Sequence, residues 1–405
     1  MICQFSFCNF MSYREETVFD FQADAIPEHE NSLIKCENGS PILPVGVIYG
    51  PNGGGKSNLL KALGCLLNTV VKPIAELGKT REFLILQTNV SCVPFLLDEI
   101  SKERNTEFKI FFRKEKVEYQ YYIAIKGDEV ISESLFWKTL KGRKTGTIFT
   151  REKDAIELGS SIDKISVNKQ INPKMPYLSF LAINYNFPVI TEVISCFESC
   201  IYESYSNPYV DTRVLLLGDS GKKTIIRALN DLDIDISDYK INTEEKRMYT
   251  IREFNNKVFE LPFEYESDGT RKLLSVLSVI MLALRQGRTI IVDELDAKLH
   301  PKLLRYIIRL FRDPTINKYG AQLLFTSHDL TTMKNDVFRR DEIWFAYEDD
   351  SHASNVYSLY DIRDESDRHV SNNAAFDKQY LEGRYGADPY LQNVLGDEWD
   401  ELETD

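Results

Sequence analysis

Apolar and polar positions alternate with period two through ICQFSFCNF and TVFDFQ, and a short apolar run, PVGVIYG, follows. Residues 1–50 therefore read as strands, the third ending in glycine. From Ser57 to about Val71 the period changes: Leu59, Leu60, Leu63, Leu66, Leu67 and Val70 recur at helical spacing, which predicts a helix with one buried face. Between about 105 and 150 alternation returns in EFKIFF, YQYYIAIKG, ESLFWKTL and GTIFTRE, separated by turn residues, the pattern of an antiparallel meander. The stretch from 188 to 240 reads as mostly helical, FPVITEVISCFESCIYES and KKTIIRALNDL included, before strands at MYTIRE and VFELPFEYE. A helix from Thr270 to about Gln286, a strand at RTIIVDE, a helix at PKLLRYIIRLF and strands at QLLFTS, EIWFAYE and NVYSLYD complete the pattern. The expected fold class is α/β: residues 1–100 and 241–405 form one body, and 101–240 is an inserted mixed α+β lobe.

Composition narrows the classes. The 405 residues carry 49 Lys+Arg against 62 Asp+Glu, a net charge of −13, with 43% hydrophobic and 27% charged residues. That balance excludes global disorder, and the acidic field excludes a general nucleic-acid coat. A local basic run survives around Lys138, Lys141, Arg143, Lys144, Arg151 and Lys153, where DNA or RNA phosphates could be tracked. The longest apolar stretch, Leu273 to Leu284, is 12 residues, short of the roughly 20 a spanning helix needs. MICQFSFCNF has no basic leader, so a cytoplasmic chain with no membrane partner is expected. Seven cysteines, at 3, 8, 36, 65, 92, 196 and 200, are scattered. Cys196 and Cys200 lack a nearby His or second pair, so reduced thiols are expected rather than zinc. The ending DEWDELETD reads as a solvated acidic tail.

The strongest chemical signal is Gly50-Pro51-Asn52-Gly53-Gly54-Gly55-Lys56-Ser57, which fits G-x-x-x-x-G-K-[ST] between a strand and an amphipathic helix. Glycines let successive N–H groups turn inward on phosphate oxygens, and the helix that carries Asn58 adds its positive dipole end. Lys56 is placed for the β/γ-phosphates and Ser57 for Mg²⁺. Far downstream the strand TIIVD ends in Asp293-Glu294. Asp293 is placed to hold Mg²⁺ through water, and Glu294 to polarise the attacking water. Ser267-Asp268-Gly269 opens the helix that runs up to that strand, Gly269 lying 24 residues before Asp293. It reads either as a helix cap or as an anion site that closes over ATP held by a second copy. His328 follows QLLFTS, where it would sense the γ-phosphate, and Asp296 would contact a partner's phosphate loop. No Asn-Lys-x-Asp guanine reader is present, Asn317-Lys318-Tyr319-Gly320 lacking the acid, so ATP is expected over GTP.

These motifs together resemble the ABC-type ATPases of the SMC-like and RecF-like group. The chain is most similar to the bacterial AAA-family proteins called RloA-like or abortive-infection ATPases. The resemblance rests on QFSFCNFMSYREETVFDF, GPNGGGKSNLLKAL, PFLLDE at 94–99, ESDGTRKLL, IIVDELDAKLHP, LLFTSHDL and YLEGRYGADPY at 380–390. It implies a P-loop NTPase fold of ABC/SMC type, Mg-ATP as cofactor, and a homodimer or higher oligomer closed by ATP. It further implies a sensor role in anti-phage defence, with a separate nuclease or toxin as effector. The alternative it leaves open is a RecF/SMC-like DNA-binding ATPase in repair. The energy module of a transporter is disfavoured: about 236 residues separate Ser57 from Asp293, and they include a meander. Sustained heptads are absent, which argues against a long coiled-coil tether. Two family features differ. An arginine expected after the first strand is replaced in Asn9-Phe10-Met11-Ser12, so its contact is either missing or supplied by Arg14, and Gln87 is the candidate for the glutamine that links Mg²⁺ to the lobe.

Overall fold

The computed structural model describes residues 1–37, 39–77, 90–142, 144–162, 167–204, 218–242, 245, 247–364 and 366–387. Gln87, Arg143 and the acidic tail lie outside the described residues, as do the last three positions of the YLEGRYGADPY segment. Strands β1 (Ile2–Cys8), β2 (Thr17–Asp20) and β3 (Val45–Tyr49) precede helix α1 (Lys56–Glu76). Helix α2 (Glu99–Glu103) leads into β4 (Thr106–Lys114), β5 (Val117–Lys126), β6 (Glu129–Thr139), β7 (Thr145–Glu152) and β8 (Ala155–Leu158). Helices α3 (Tyr177–Asn184) and α4 (Pro188–Glu198), strand β9 (Cys200–Ser204) and helix α5 (Gly218–Asn230) come next. Then follow β10 (Asp238–Asn242), β11 (Arg247–Phe254) and β12 (Lys257–Pro262). The remainder is α6 (Asp268–Gln286), β13 (Thr289–Asp293), α7 (Pro301–Arg312), β14 (Gln322–Thr326), β15 (Ile343–Glu348), β16 (Ser354–Ser358) and α8 (Phe376–Leu381).

Three sheets form. The core sheet runs β16-β15-β3-β14-β13-β9, parallel from β15 to β9 with β16 antiparallel at its edge. All five residues of β3 are buried, which is why PVGVIYG reads as an unbroken apolar run rather than an alternation. A seven-stranded antiparallel sheet runs β2-β1-β4-β5-β6-β7-β8, and β10-β11-β12 form a third. Strand pairing runs across the boundaries expected at 100 and 240. β4 pairs with β1, so the meander extends the sheet begun at the N-terminus, and β9 adds an edge to the core sheet beside β13. The cause is pairing: β1 would present an open edge if β4 did not cover it. CIYES, read as helix, is that strand β9; its backbone is completed by β13, a partner that no local period reveals.

The two larger sheets are fastened through Gln322 of β14, which is wholly buried. Its Oε1 accepts from Ile2 N at 2.7 Å and its Nε2 donates to Ile2 O at 2.9 Å, pairing both backbone polar groups of Ile2 at the start of β1. Phe19 of β2 packs on Trp344 of β15 with ring centroids 4.5 Å apart. Helix α1 begins one residue earlier than expected and runs on through Pro73 to Glu76, packing against α3 and α4. Helix α6 buries 14 of its 19 residues and ends at Gly287 in the left-handed region (φ 66°), whose N–H closes on Ala283 O.

No single helix among the described residues is long and apolar enough to cross a membrane; the bent pair α3 and α4 meets the length and composition test together, across a 116° bend. All seven cysteines are free thiols. Burial pushes Cys3 and Cys200 up to about 12. At pH 8 both are therefore expected to resist iodoacetamide in the native chain and to react in denaturant, which mass spectrometry of the labelled peptides checks. Labelling of either at the rate of a free thiol would contradict the packing described.

Candidate active site

The phosphate loop leaves β3 at Gly50 and enters α1 at Lys56. Close approach of neighbouring atoms requires glycine at 50, 54 and 55. A Cβ on Gly50 (φ 143°) would stand 2.0 Å from Ala346 O, and one on Gly55 (φ 99°) would stand 2.4 Å from Ser354 Oγ. Gly55 is the N-cap of α1 with no side-chain cap, and the first turn holds no acid. The leading N–H groups of a 21-residue helix are thus free for an anion. The loop is braced from the first strand's turn: Tyr13 OH donates to Gly55 O at 3.2 Å, and Asn58 Nδ2 donates to Ser12 Oγ at 2.9 Å.

A cavity of about 210 Å³ opens beside it, lined by Asn52, Gly53, Gly55, Lys56, Ser57, Asn58, Glu294, Thr326 and His328. Lys56 Nζ donates to Gly50 O and Pro51 O, both at 2.8 Å. Burial lowers its pKa, while the carboxylates of Asp293, Glu294 and Asp296 act the other way. Ser57 Oγ donates to Asp293 Oδ1 at 3.0 Å, bringing together two oxygens 236 residues apart in sequence. An incoming Mg²⁺ finds here the hard oxygen donors it favours, and the uncapped helix start suits the phosphates. Gly50 and Gly54 do not line the cavity and lie against Ala346 O.

Sequence reasoning missed Thr326. Its Oγ1 donates to Asp293 Oδ1 at 2.7 Å and accepts from Glu294 N at 2.7 Å, so one hydroxyl positions both acids. The only local signal was a hydroxyl residue at the end of QLLFTS. Glu294 is exposed, sits in the left-handed region (φ 52°) at the strand exit, and lines the cavity. His328 is exposed, and its N–H donates to Asp296 Oδ2 at 2.9 Å. Asp296, expected to reach a partner's phosphate loop, here anchors the histidine segment of its own chain; its other oxygen, Oδ1, is buried without a partner.

Lys272 was also missed. It is wholly buried in α6, and its Nζ donates to Glu294 O at 2.8 Å and Ala297 O at 2.6 Å, pinning the acid-pair turn. Ser267 caps α6, its Oγ accepting from Thr270 N at 3.1 Å, and a Cβ on Gly269 would meet Lys298 O at 3.3 Å. Neither Ser267 nor Gly269 lines the 210 Å³ cavity. Arg14, the candidate substitute arginine, pairs with Glu15 at 3.0 Å and lies over Phe95, so it belongs to the first turn rather than the cavity. Of the basic run, Arg151 is buried and donates to Met175 O at 2.7 Å, and Lys138 pairs with Glu118 at 2.6 Å.

A glycine loop opening a helix after β3, with a facing acid pair at the end of the parallel strand β13 on the far side of β14, defines a P-loop ATPase site. A family model described as "AAA domain, putative AbiEii toxin, Type IV TA system" matches residues 46–334, and the chain belongs to that family. No curated protein matches the chain. Solved structures with similar traces include the SMC head bound to the C-winged helix domain of ScpA, at 15% identity and TM-score 0.45, covering 88% of this chain and 98% of that one. The SMC head domain from Thermotoga maritima matches at 11% identity and TM-score 0.43, with the same 88% and 98% coverage.

Proposed function

We propose that the chain hydrolyses ATP as a homodimer and works as the sensor and switch subunit of an anti-phage defence system, controlling a separate nuclease or toxin. The observation that carries the mechanism is the convergence of Lys56, Ser57, Asp293, Thr326, Glu294 and His328 around one cavity. Ser57 and Asp293 would hold Mg²⁺, which neutralises phosphate charge when bound. Lys56 gives its charge to the phosphates in exchange for the loop carbonyls it now caps, and a desolvated ammonium gains from that exchange. The Glu294 carboxylate takes the proton of the attacking water, held in place by Thr326 and the strained turn. Ser267 and Gly269, away from the cavity of their own chain, close the site of the second copy. The defence role is supported by the family description and by the motif resemblance. A DNA-repair role is less well supported, since Arg151 and Lys138 are already engaged within the protein.

Complementation tests the shared site. Lys56→Ala and Ser267→Arg chains are each expected to be inactive alone. Mixed in equal amounts they should recover about a quarter of wild-type turnover, because half the pairs carry one intact composite site. A mixture as inactive as its parts, or an active Ser267→Arg chain, would reject the shared pocket.

A further inference from the structure

Away from the phosphate loop, a cavity of about 680 Å³ opens between α7 and the segment around His29. It has more than three times the volume of the phosphate-loop cavity, about 210 Å³. Arg305, Arg309 and Arg312 line it from one helix, at the i, i+4 and i+7 spacing that stacks side chains along a single face. Arg312 is only 9% exposed and is held by Glu342 at 3.4 Å and by Ser32 Oγ at 3.4 Å. His29 stands opposite, with Nε2 donating to Asn335 O at 2.7 Å. Ile308 and Val337 supply apolar wall.

Three carboxylates stand nearby, and each has other work. Asp313 accepts from Thr315 N at 2.8 Å and Thr315 Oγ1 at 2.6 Å. Asp336 meets Arg305 at 3.5 Å in a half-exposed pair, which is weak in water. Glu342 is wholly buried behind Arg312 and accepts from Arg339 N at 2.8 Å. Arg309 makes no ion pair or side-chain hydrogen bond among the described residues. A concave site of this volume suits a cofactor-sized molecule, and planar guanidinium forks ranked along a helix suit phosphate oxygens.

We propose that this cavity is a second anion site, taking a small phosphate-bearing ligand of nucleotide size through Arg305, Arg309 and Arg312. Its volume is that of a cofactor-sized molecule, which favours a small ligand over a nucleic-acid strand. Binding here is independent of the ATPase reading, and the experiment keeps the two apart. Inorganic tripolyphosphate is titrated calorimetrically into the Lys56→Ala chain, where the phosphate loop is disabled. Saturable binding is expected, weakened at least about tenfold by adding Arg309→Glu and similarly by adding Arg305→Gln. Arg309 is exposed, so unchanged thermal unfolding should accompany that loss. Absence of binding to Lys56→Ala, or equal affinity with and without Arg309→Glu, overturns the site. So does Arg309-dependent binding of a short single-stranded DNA in place of tripolyphosphate. Failure of ATP to bind wild-type protein would count against the phosphate loop alone.

Discussion

Replacing Glu294 with glutamine is expected to slow ATP turnover at least about 100-fold, the usual contribution of a positioned general base, while ATP is still bound. Glutamine keeps the shape of the side chain, and the groups that place it are backbone contacts. Glu294 N donates to Thr326 Oγ1, and Glu294 O accepts from Lys272 Nζ, so neither bond depends on the carboxylate. What the substitution removes is the acceptor for the proton of water. Phosphate release measures the first effect and equilibrium dialysis with ATP the second. Since hydrolysis reopens the proposed pair, the variant should also show twice the monomer mass in light scattering with Mg-ATP and fall back without it. Unchanged turnover would remove Glu294 from the chemistry. A variant that binds ATP and stays monomeric would leave the chemistry intact and remove the pairing.

The parts of this site that were legible in the sequence are those whose chemistry is carried by contiguous residues. Gly50 to Ser57 demands a backbone that only glycine permits at 50 and 55, and Asp293-Glu294 ends a strand that is buried throughout most of its length. Thr326 and Lys272 were illegible for the opposite reason. A threonine at a strand end and a lysine in a helical stripe are ordinary locally, and their importance comes from what lies 33 and 22 residues away. Lys272 even runs against the local rule, since a charged residue on a helix usually marks the wet face. Strand pairing failed in the same way: β9 follows directly on α4, and only β13 shows that CIYES is extended. Alternation in β1 and β4 was visible, but that they share one sheet was not, because register between distant strands leaves no mark on either.

Lys272→Met tests whether that buried amine holds the acid pair in place. Two carbonyls, Glu294 O and Ala297 O, lose their donor inside the protein. Each orphaned group costs about 1–3 kcal/mol, partly offset by relief of a desolvated charge, so a net loss of about 2 kcal/mol is expected in denaturant unfolding. Turnover should fall at least about tenfold, because the turn bearing Glu294 loosens and small misplacements are costly. A pH series separates the amine from mere packing. Burial lowers Lys272 to about 8 from 10.5, with Asp296 and Glu294 opposing. Between those values the unfolded chain holds the proton and the folded chain has shed it, so the lysine's contribution to stability grows as pH rises through that window. The upper bound on that growth is about 3 kcal/mol. Below pH 8 the difference between wild type and Lys272→Met should be flat, and from 8 to 10.5 it should widen in favour of wild type. Taking the difference cancels the buried thiols and tyrosines, which titrate alike in both chains. A gap that stays constant to pH 10.5 would mean that the amine keeps its proton in the fold. Unchanged stability and turnover would mean that the turn bearing Glu294 stands without it.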